Sequence, residues 1–224
     1  MASDKVTRRA KLRTHKFGRS DMVVSEITAG TMTWGSFCER EEQAFEQLDA
    51  NVALGVNTID TAELYPVAFN YGKTTEEWIG NWLIARAAAG KVKREDLYIF
   101  TKCNPANIGG AKLEGRTEGP HGFDDAQLEA SCRESLARLQ CDYIDLYQLH
   151  WPSRDTPCFG CAAFYPEGEQ RPMGFVDMGS KTETPTPADG GMAVFERQVR
   201  SVKRLLDLGL VRHWGLSNEN SYGI

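Results

Sequence analysis

The sequence predicts an α/β fold of the (β/α)8 TIM-barrel class, with about five of the eight βα units present behind an N-terminal β-hairpin. Three observations predict it. Short apolar runs alternate with stretches of helical periodicity, an order that implies right-handed parallel crossovers. The runs recur at intervals of about 30–45 residues, the scale of one βα unit plus its loops. Several of them end on an ionisable residue, and in a barrel the strand C-termini gather on the one face that carries chemistry.

The elements follow in order. Residues 12–17 and 22–27, on either side of a turn containing Gly18, read as the hairpin. The run ITAGTMTWG is a first barrel strand passing into a Gly- and Thr-containing loop. Residues 39–54 are helical: Ala44, Leu48 and Val52 recur at four-residue spacing, and Gly55 stops the helix. Residues 56–61 form a strand. A helix over 74–89 ends at Gly90, and its Trp78 and Trp82, four apart, read as core packing. Residues 97–102 form a strand. Asp124 or Asp125 caps the next helix, whose apolar face carries Leu128, Cys132, Leu136 and Leu139. The run 143–150 is a strand almost without turn residues. A helix over 192–208 places Phe195, Val199, Val202 and Leu206 on one face and ends at Gly209. The last strand, 211–216, leads into Ser217 and Asn218.

That gives five strands and four helices in one domain over residues 1–224. Five units do not close an eight-stranded circle, so the first and fifth strands are expected to leave open sheet edges. The stretch 151–191 stands apart. It is rich in Pro, Gly, Ser and Thr and has no periodicity. A linker is one reading. A long loop inside a compact fold is more often a lid or binding loop, and this one leaves directly from His150, so a substrate-side loop is favoured.

Composition narrows the function classes. Of the 224 residues 41% are hydrophobic, and the net charge of -5 lacks the basic excess of a nucleic-acid binder. No apolar stretch approaches the roughly 18–20 residues of a membrane helix, and no signal-peptide core follows Met1. The basic run Lys5, Arg8, Arg9, Lys11, Arg13 and Lys16 reads as a solvated arm before the hairpin rather than a transit peptide. Six cysteines follow no disulfide framework and read as reduced thiols, so a cytoplasmic location is expected. Cys158 and Cys161 have CxxC spacing, but Gly160 and the surrounding loop argue against a redox helix, and no further ligands complete a metal site.

Four residues at strand ends carry the chemistry: Asp60, Tyr65, Lys102 and His150. Each alone has an ordinary role, as a helix cap, a packed aromatic, a solvated lysine or a core histidine. Four together at the ends of parallel strands make a proton-donating site. A phenol is a weak acid, with an unperturbed pKa of about 10, and a nearby ammonium lowers it. Tyr65 is thus expected to be the general acid, Lys102 to tune it, and Asp60 to orient Lys102. His150 can hydrogen-bond a carbonyl oxygen. Reduction of that carbonyl also needs hydride, which no side chain supplies, so a nicotinamide cofactor is implied. No GxGxxG occurs, and a Rossmann site is not supported.

The motifs GTMTWG (30–35), DTAELYP (60–66), FTKCN (100–104), LYQLHWP (146–152) and GLSN (215–218) resemble, in that order, the aldo-keto reductase family, and their phrasing is similar to its Tas-like branch. The resemblance implies reduction of small aldehydes or ketones with NADPH, with Asp60, Tyr65, Lys102 and His150 as catalytic tetrad. It implies that Gly30, Thr31, Met32, Asp60, Ser217 and Asn218 lie on the cofactor, and that Trp34, Tyr65, His150 and Trp151 line the substrate pocket. No metal, nucleic acid or membrane partner is implied, and the oligomeric state stays open. It also implies three further βα units, so that the chain is expected to be C-terminally truncated. Two other readings stay open: a non-catalytic cofactor-sensing regulator of the same fold, like the potassium-channel β subunits, and an inactive gene fragment.

Overall fold

A computed structural model describes residues 12–35, 37–66, 74–104, 125–151, 192–219, 221 and 224. The basic arm, the cap at Asp124, the Cys158–Cys161 pair and nearly all of the long loop lie outside the described residues. Among the described residues the chain forms seven strands and four α-helices: β1 (Thr14–Lys16), β2 (Val23–Ser25), β3 (Ala29–Gly30), α1 (Glu41–Ala53), β4 (Thr58–Asp60), α2 (Thr74–Ala88), β5 (Tyr98–Cys103), α3 (Asp125–Leu139), β6 (Ile144–Leu149), α4 (Met192–Asp207) and β7 (Val211–Leu216). No helix among them is long and apolar enough to cross a membrane.

The strands β1 and β2 pair antiparallel, as the expected hairpin, though both are shorter than the apolar runs suggest. The other five form one parallel sheet in the order β3-β4-β5-β6-β7. Sequential order without reversal is what a right-handed winding of βα units gives, each helix returning the chain over the same face. The partial barrel predicted from the sequence is therefore the fold observed.

Helix ends follow the expected residues. Gly55, Gly90 and Gly209 take φ of 92°, 66° and 70°, the left-handed region that glycine enters without a Cβ penalty. The remaining helix, α3, ends differently, with Gln140 at φ 52°. At the start of α1 the Gln43 side chain reaches back to accept from the Glu39 and Arg40 backbone N–H groups at 3.2 and 3.3 Å, taking donors that the first turn leaves without helical partners.

The sheet has two differently used faces. Ile59 and Ile99 are in register, as are Cys103, Leu149 and Leu216. Ile59, Ile99, Cys103, Tyr147 and Leu149 join Leu48, Ile79, Trp82, Leu128, Leu139 and Leu205 in the main core between sheet and helices. On the opposite face Phe100 and Leu146, also in register, form a second cluster with Met22 of the hairpin loop. The hairpin thus covers the N-terminal end of that inner face. It is tied there by Asn57, whose Oδ1 accepts from Ser25 N–H at 2.7 Å and whose Nδ2 donates to Val23 O at 2.9 Å.

Two close approaches position the helices and the loop after β4. A Cβ on Gly80 would lie 2.2 Å from the Arg138 carbonyl oxygen, so only glycine lets α2 and α3 approach this closely. A Cβ on Gly35, at φ 83°, would lie 2.7 Å from Pro66 Cγ. Both sheet edges keep apolar side chains in solvent. Ile27, Met32 and Phe37 are exposed beside β3, and Met192, Val199, Trp214 and Leu216 on or beside β7. A pocket of about 260 Å³ lined by Leu149, Phe195, Val199, Trp214 and Leu216 opens at the β7 side.

Candidate active site

Register explains how the four residues meet. Gly30, Asp60, Phe100, Leu146 and His213 form one row across the sheet, and Lys102, Gln148 and Gly215 the row two residues farther toward the C-terminal ends. Strand side chains alternate between faces, so Asp60 and Lys102 project from the inner face, away from the helices, and His150 follows at the same parity. The backbone keeps this alignment beyond the regular strands. Thr61 N–H donates to Phe100 O at 2.8 Å, His150 N–H to Cys103 O at 2.8 Å, and Ser217 N–H to Leu149 O at 2.9 Å.

The Lys102 ammonium is the hub. It donates to Asp60 Oδ2 at 2.8 Å, to the Thr61 carbonyl at 2.8 Å and to the Tyr65 hydroxyl at 3.4 Å. Three donors and three oxygens fix its position. The lysine side chain is 7% exposed and the Asp60 side chain 31%, so the carboxylate meets water while the ammonium does not. Burial lowers the Lys102 pKa, and the charge of Asp60 opposes that shift. The Tyr65 and His150 rings meet edge to face at 5.7 Å, and His150 stacks with Trp151 at 6.1 Å. Tyr65, Lys102, His150 and Trp151 are all buried.

The electrostatics differ from the expectation in one respect. The Tyr65 phenol is pushed up to about 12, by burial first and by the Asp60 charge second. The expected lowering by Lys102 is outweighed because Asp60 largely neutralises that ammonium and water is excluded from the phenol. Tyr65 therefore holds its proton throughout the neutral range. Burial, aided by the Lys102 charge, takes His150 down to about 3. The imidazole is thus neutral and carries one N–H. Its Nδ1 is buried without a hydrogen-bond partner among the described residues.

The remaining candidates have contacts of their own. Thr31 is buried beside Asp60: its N–H and its hydroxyl both donate to the Asp60 carbonyl, at 3.1 and 2.9 Å. Gly30 has open space where a Cβ would stand, and Met32 is exposed. Asn218, at φ 55°, donates its amide to the His150 carbonyl at 2.8 Å and to Ser217 Oγ at 3.1 Å. That leaves an amide carbonyl and a hydroxyl beside His150. Trp34 is held against α1 and α2. It is 2% exposed, its indole N–H donates to Gln47 of α1 at 2.9 Å, and its ring tilts against Trp78 at 6.2 Å. It packs between the first loop and two helices.

Sequence reasoning passed over Glu63. This side chain is 1% exposed, three residues from Asp60 and two from Tyr65, and it accepts from Asn104 N–H at 2.6 Å. The signal available was an acid within an otherwise apolar loop, TAELYP.

The sequence model of the Aldo/keto reductase family matches residues 26–223. Protein tas of Escherichia coli K12 is 32% identical over 213 residues, covering 94% of this chain and 53% of that protein. An aldo-keto reductase of Bacillus halodurans solved in its holo form superposes with a TM-score of 0.57 at 28% identity, over 92% of this chain and 50% of that one. An aldo-keto reductase of Klebsiella pneumoniae solved with NADPH shares the fold, with a TM-score of 0.57 at 24% identity, over 95% of this chain and 51% of that one. The chain spans about half the length of the relatives it matches.

Proposed function

The chain belongs to the aldo/keto reductase family, and from that premise we propose that it reduces aldehydes or ketones to alcohols with NADPH, Tyr65 giving the proton. The observation that carries the reading is the Lys102 ammonium bound at once to Asp60 and to the Tyr65 hydroxyl. The roles follow from the charges. A carbonyl oxygen taking up negative charge needs hydrogen-bond donors at hand. The phenol, held protonated, and the neutral imidazole N–H of His150 are two donors whose rings lie 5.7 Å apart, close enough to reach one oxygen. An alkoxide is far more basic than a phenolate, even one whose conjugate acid has a pKa of about 12. Proton transfer from Tyr65 therefore runs downhill once charge has developed. The phenolate left behind lies 3.4 Å from the Lys102 ammonium, which stabilises it. Asp60 holds that ammonium in place.

The residues present fit a nicotinamide. Ser217 offers a hydroxyl and Asn218 an amide carbonyl beside His150, matching the amide donor and carbonyl acceptor of a carboxamide. Gly30, where no side chain fills the space at the end of β3, and Thr31, Met32 and Asp60 complete that end of the cofactor site. When bound, the cofactor supplies hydride. Trp151, stacked on His150, lines the substrate side with Tyr65 and His150. The buried position of Trp34 makes it a support for the loop.

The test is NADPH-dependent reduction of a small aromatic aldehyde, followed by loss of reduced-nicotinamide absorbance, for the chain and for Tyr65→Phe. Turnover that depends on Tyr65 supports the reading. Turnover that survives in Tyr65→Phe removes the proton donor assigned here.

A further inference from the structure

We propose that Glu63 is a positioning residue for Tyr65: its carboxylate takes the place of the next backbone rung between the β4 loop and β5, and so sets where the chain turns to bring the phenol over Lys102. The proposal rests on the reading of Tyr65 given above.

The hydrogen bonds show the substitution. Beyond β4 the parallel ladder continues, Thr61 N–H donating to Phe100 O at 2.8 Å and Glu63 N–H to Lys102 O at 3.0 Å. In a parallel ladder the next donor on the partner strand, Asn104 N–H, would be met by the Glu63 carbonyl. Here it donates to Glu63 Oε1, at 2.6 Å. The side chain satisfies the strand, and the backbone is released from it. Tyr65 N–H then closes a turn onto Ala62 O at 3.1 Å. The phenol hydroxyl arrives 3.4 Å from Lys102 Nζ, with that nitrogen 4.9 Å from the ring centre.

Glu63 thus grips β5 on both sides of Cys103, through its own N–H on the Lys102 carbonyl and its carboxylate on the Asn104 N–H. Proton donor and ammonium are held to each other by one residue. Its burial removes competition from water, which strengthens both bonds. An acceptor of this reach at position 63 is what the geometry requires. Glutamine keeps it, aspartate falls one methylene short, and alanine has none.

The experiment compares the parent chain with Glu63→Gln, Glu63→Asp and Glu63→Ala by two readouts. The first is the NMR signal of the Tyr65 Cζ carbon in protein labelled at tyrosine. Among the seven tyrosines, the signal lost in Tyr65→Phe identifies Tyr65. The second is kcat and KM for a small aromatic aldehyde. We expect the Ala variant to move or broaden the Tyr65 signal and to lower kcat by about 10²-fold, the usual scale for a reacting group misplaced by an ångström, with KM little changed. The Gln variant keeps the parent signal and most of the parent kcat, a rescue that loss of packing alone would not give. A parent-like Tyr65 signal in the Ala variant overturns the proposal, and so does a Gln variant as damaged as the Ala variant. Should the Ala variant not fold, Gln against Asp makes the same comparison, with Asp expected to shift the signal. A parent without turnover refutes the functional reading, while the Tyr65 signal still judges Glu63.

Discussion

Replacing Gly80 by alanine sets two known effects against each other in one helix. Helix propensity favours the change: alanine is better than glycine inside a helix by about 1 kcal/mol. Packing opposes it. The added Cβ would lie 2.2 Å from the Arg138 carbonyl oxygen and 2.9 Å from the Leu139 carbonyl carbon, both backbone atoms that cannot swing aside. To reach an ordinary contact of 3.4 Å the two helices must open by about 1.2 Å. Overpacking of this kind costs about 1–3 kcal/mol. The same movement pulls Arg138 from Glu76, a pair 2.7 Å apart whose carboxylate is fully buried, and breaking a buried pair outright costs about 3–5 kcal/mol. If only part of that bond is lost, the sum of these terms is a net destabilisation of about 2–4 kcal/mol. For a chain of this size that corresponds to a melting midpoint lower by roughly 5–15 °C. The assay is a thermal or urea melt of the parent, Gly80→Ala and, as a control on propensity, Ala85→Gly at an exposed site of the same helix. Propensity alone predicts that Gly80→Ala stabilises and Ala85→Gly destabilises by about 1 kcal/mol. A Gly80→Ala protein that melts at or above the parent would falsify the close-approach argument.

Three further outcomes are expected. Tyr65→Phe should keep the fold, since the hydroxyl's hydrogen bond to Lys102 is a long one of 3.4 Å, yet lower aldehyde turnover by about 10²–10⁴-fold, the range for losing a general acid; more than a tenth of parent turnover contradicts this. Lys102→Met should lower turnover by a similar factor, about 10²–10⁴, because the phenolate loses its counter-charge, and should leave Asp60 tolerably solvated at 31% exposure; steady-state kinetics beside a melt checks both parts. Stability should depend on His150 below neutrality: the folded imidazole protonates only near pH 3, whereas the unfolded one takes a proton below about 6.5. Above about pH 6.5 both forms are neutral and the group contributes nothing. As pH falls from there toward 3, each unit removes up to about 1.4 kcal/mol. Urea midpoints between pH 7 and 5 should fall more for the parent than for His150→Gln, and equal slopes would show that the imidazole is not held neutral by the fold.

Local physics was readable in the amino-acid order. Apolar periodicity located all four helices, and glycine's freedom at positive φ fixed three of their ends, at Gly55, Gly90 and Gly209. The fourth end, at Gln140, carried no such signal, because a non-glycine in that region is held there by its surroundings. Asp60, Lys102 and His150 could be singled out because each closes an apolar run, and in parallel sheets the run's end is the functional end. What the sequence by itself determined is the set of elements, their parallel winding, and which residue types reach one rim. Only the tertiary structure decided how those residues act on each other. The phenol of Tyr65 rises rather than falls because burial and Asp60 outweigh a lysine already neutralised. Trp34 gives its indole N–H to Gln47 of α1. Gly80 matters through a carbonyl on another helix, and Glu63 through an amide 41 residues away. Each of these depends on a distance between segments remote in sequence, and such distances are set by packing and register rather than by local residue preference.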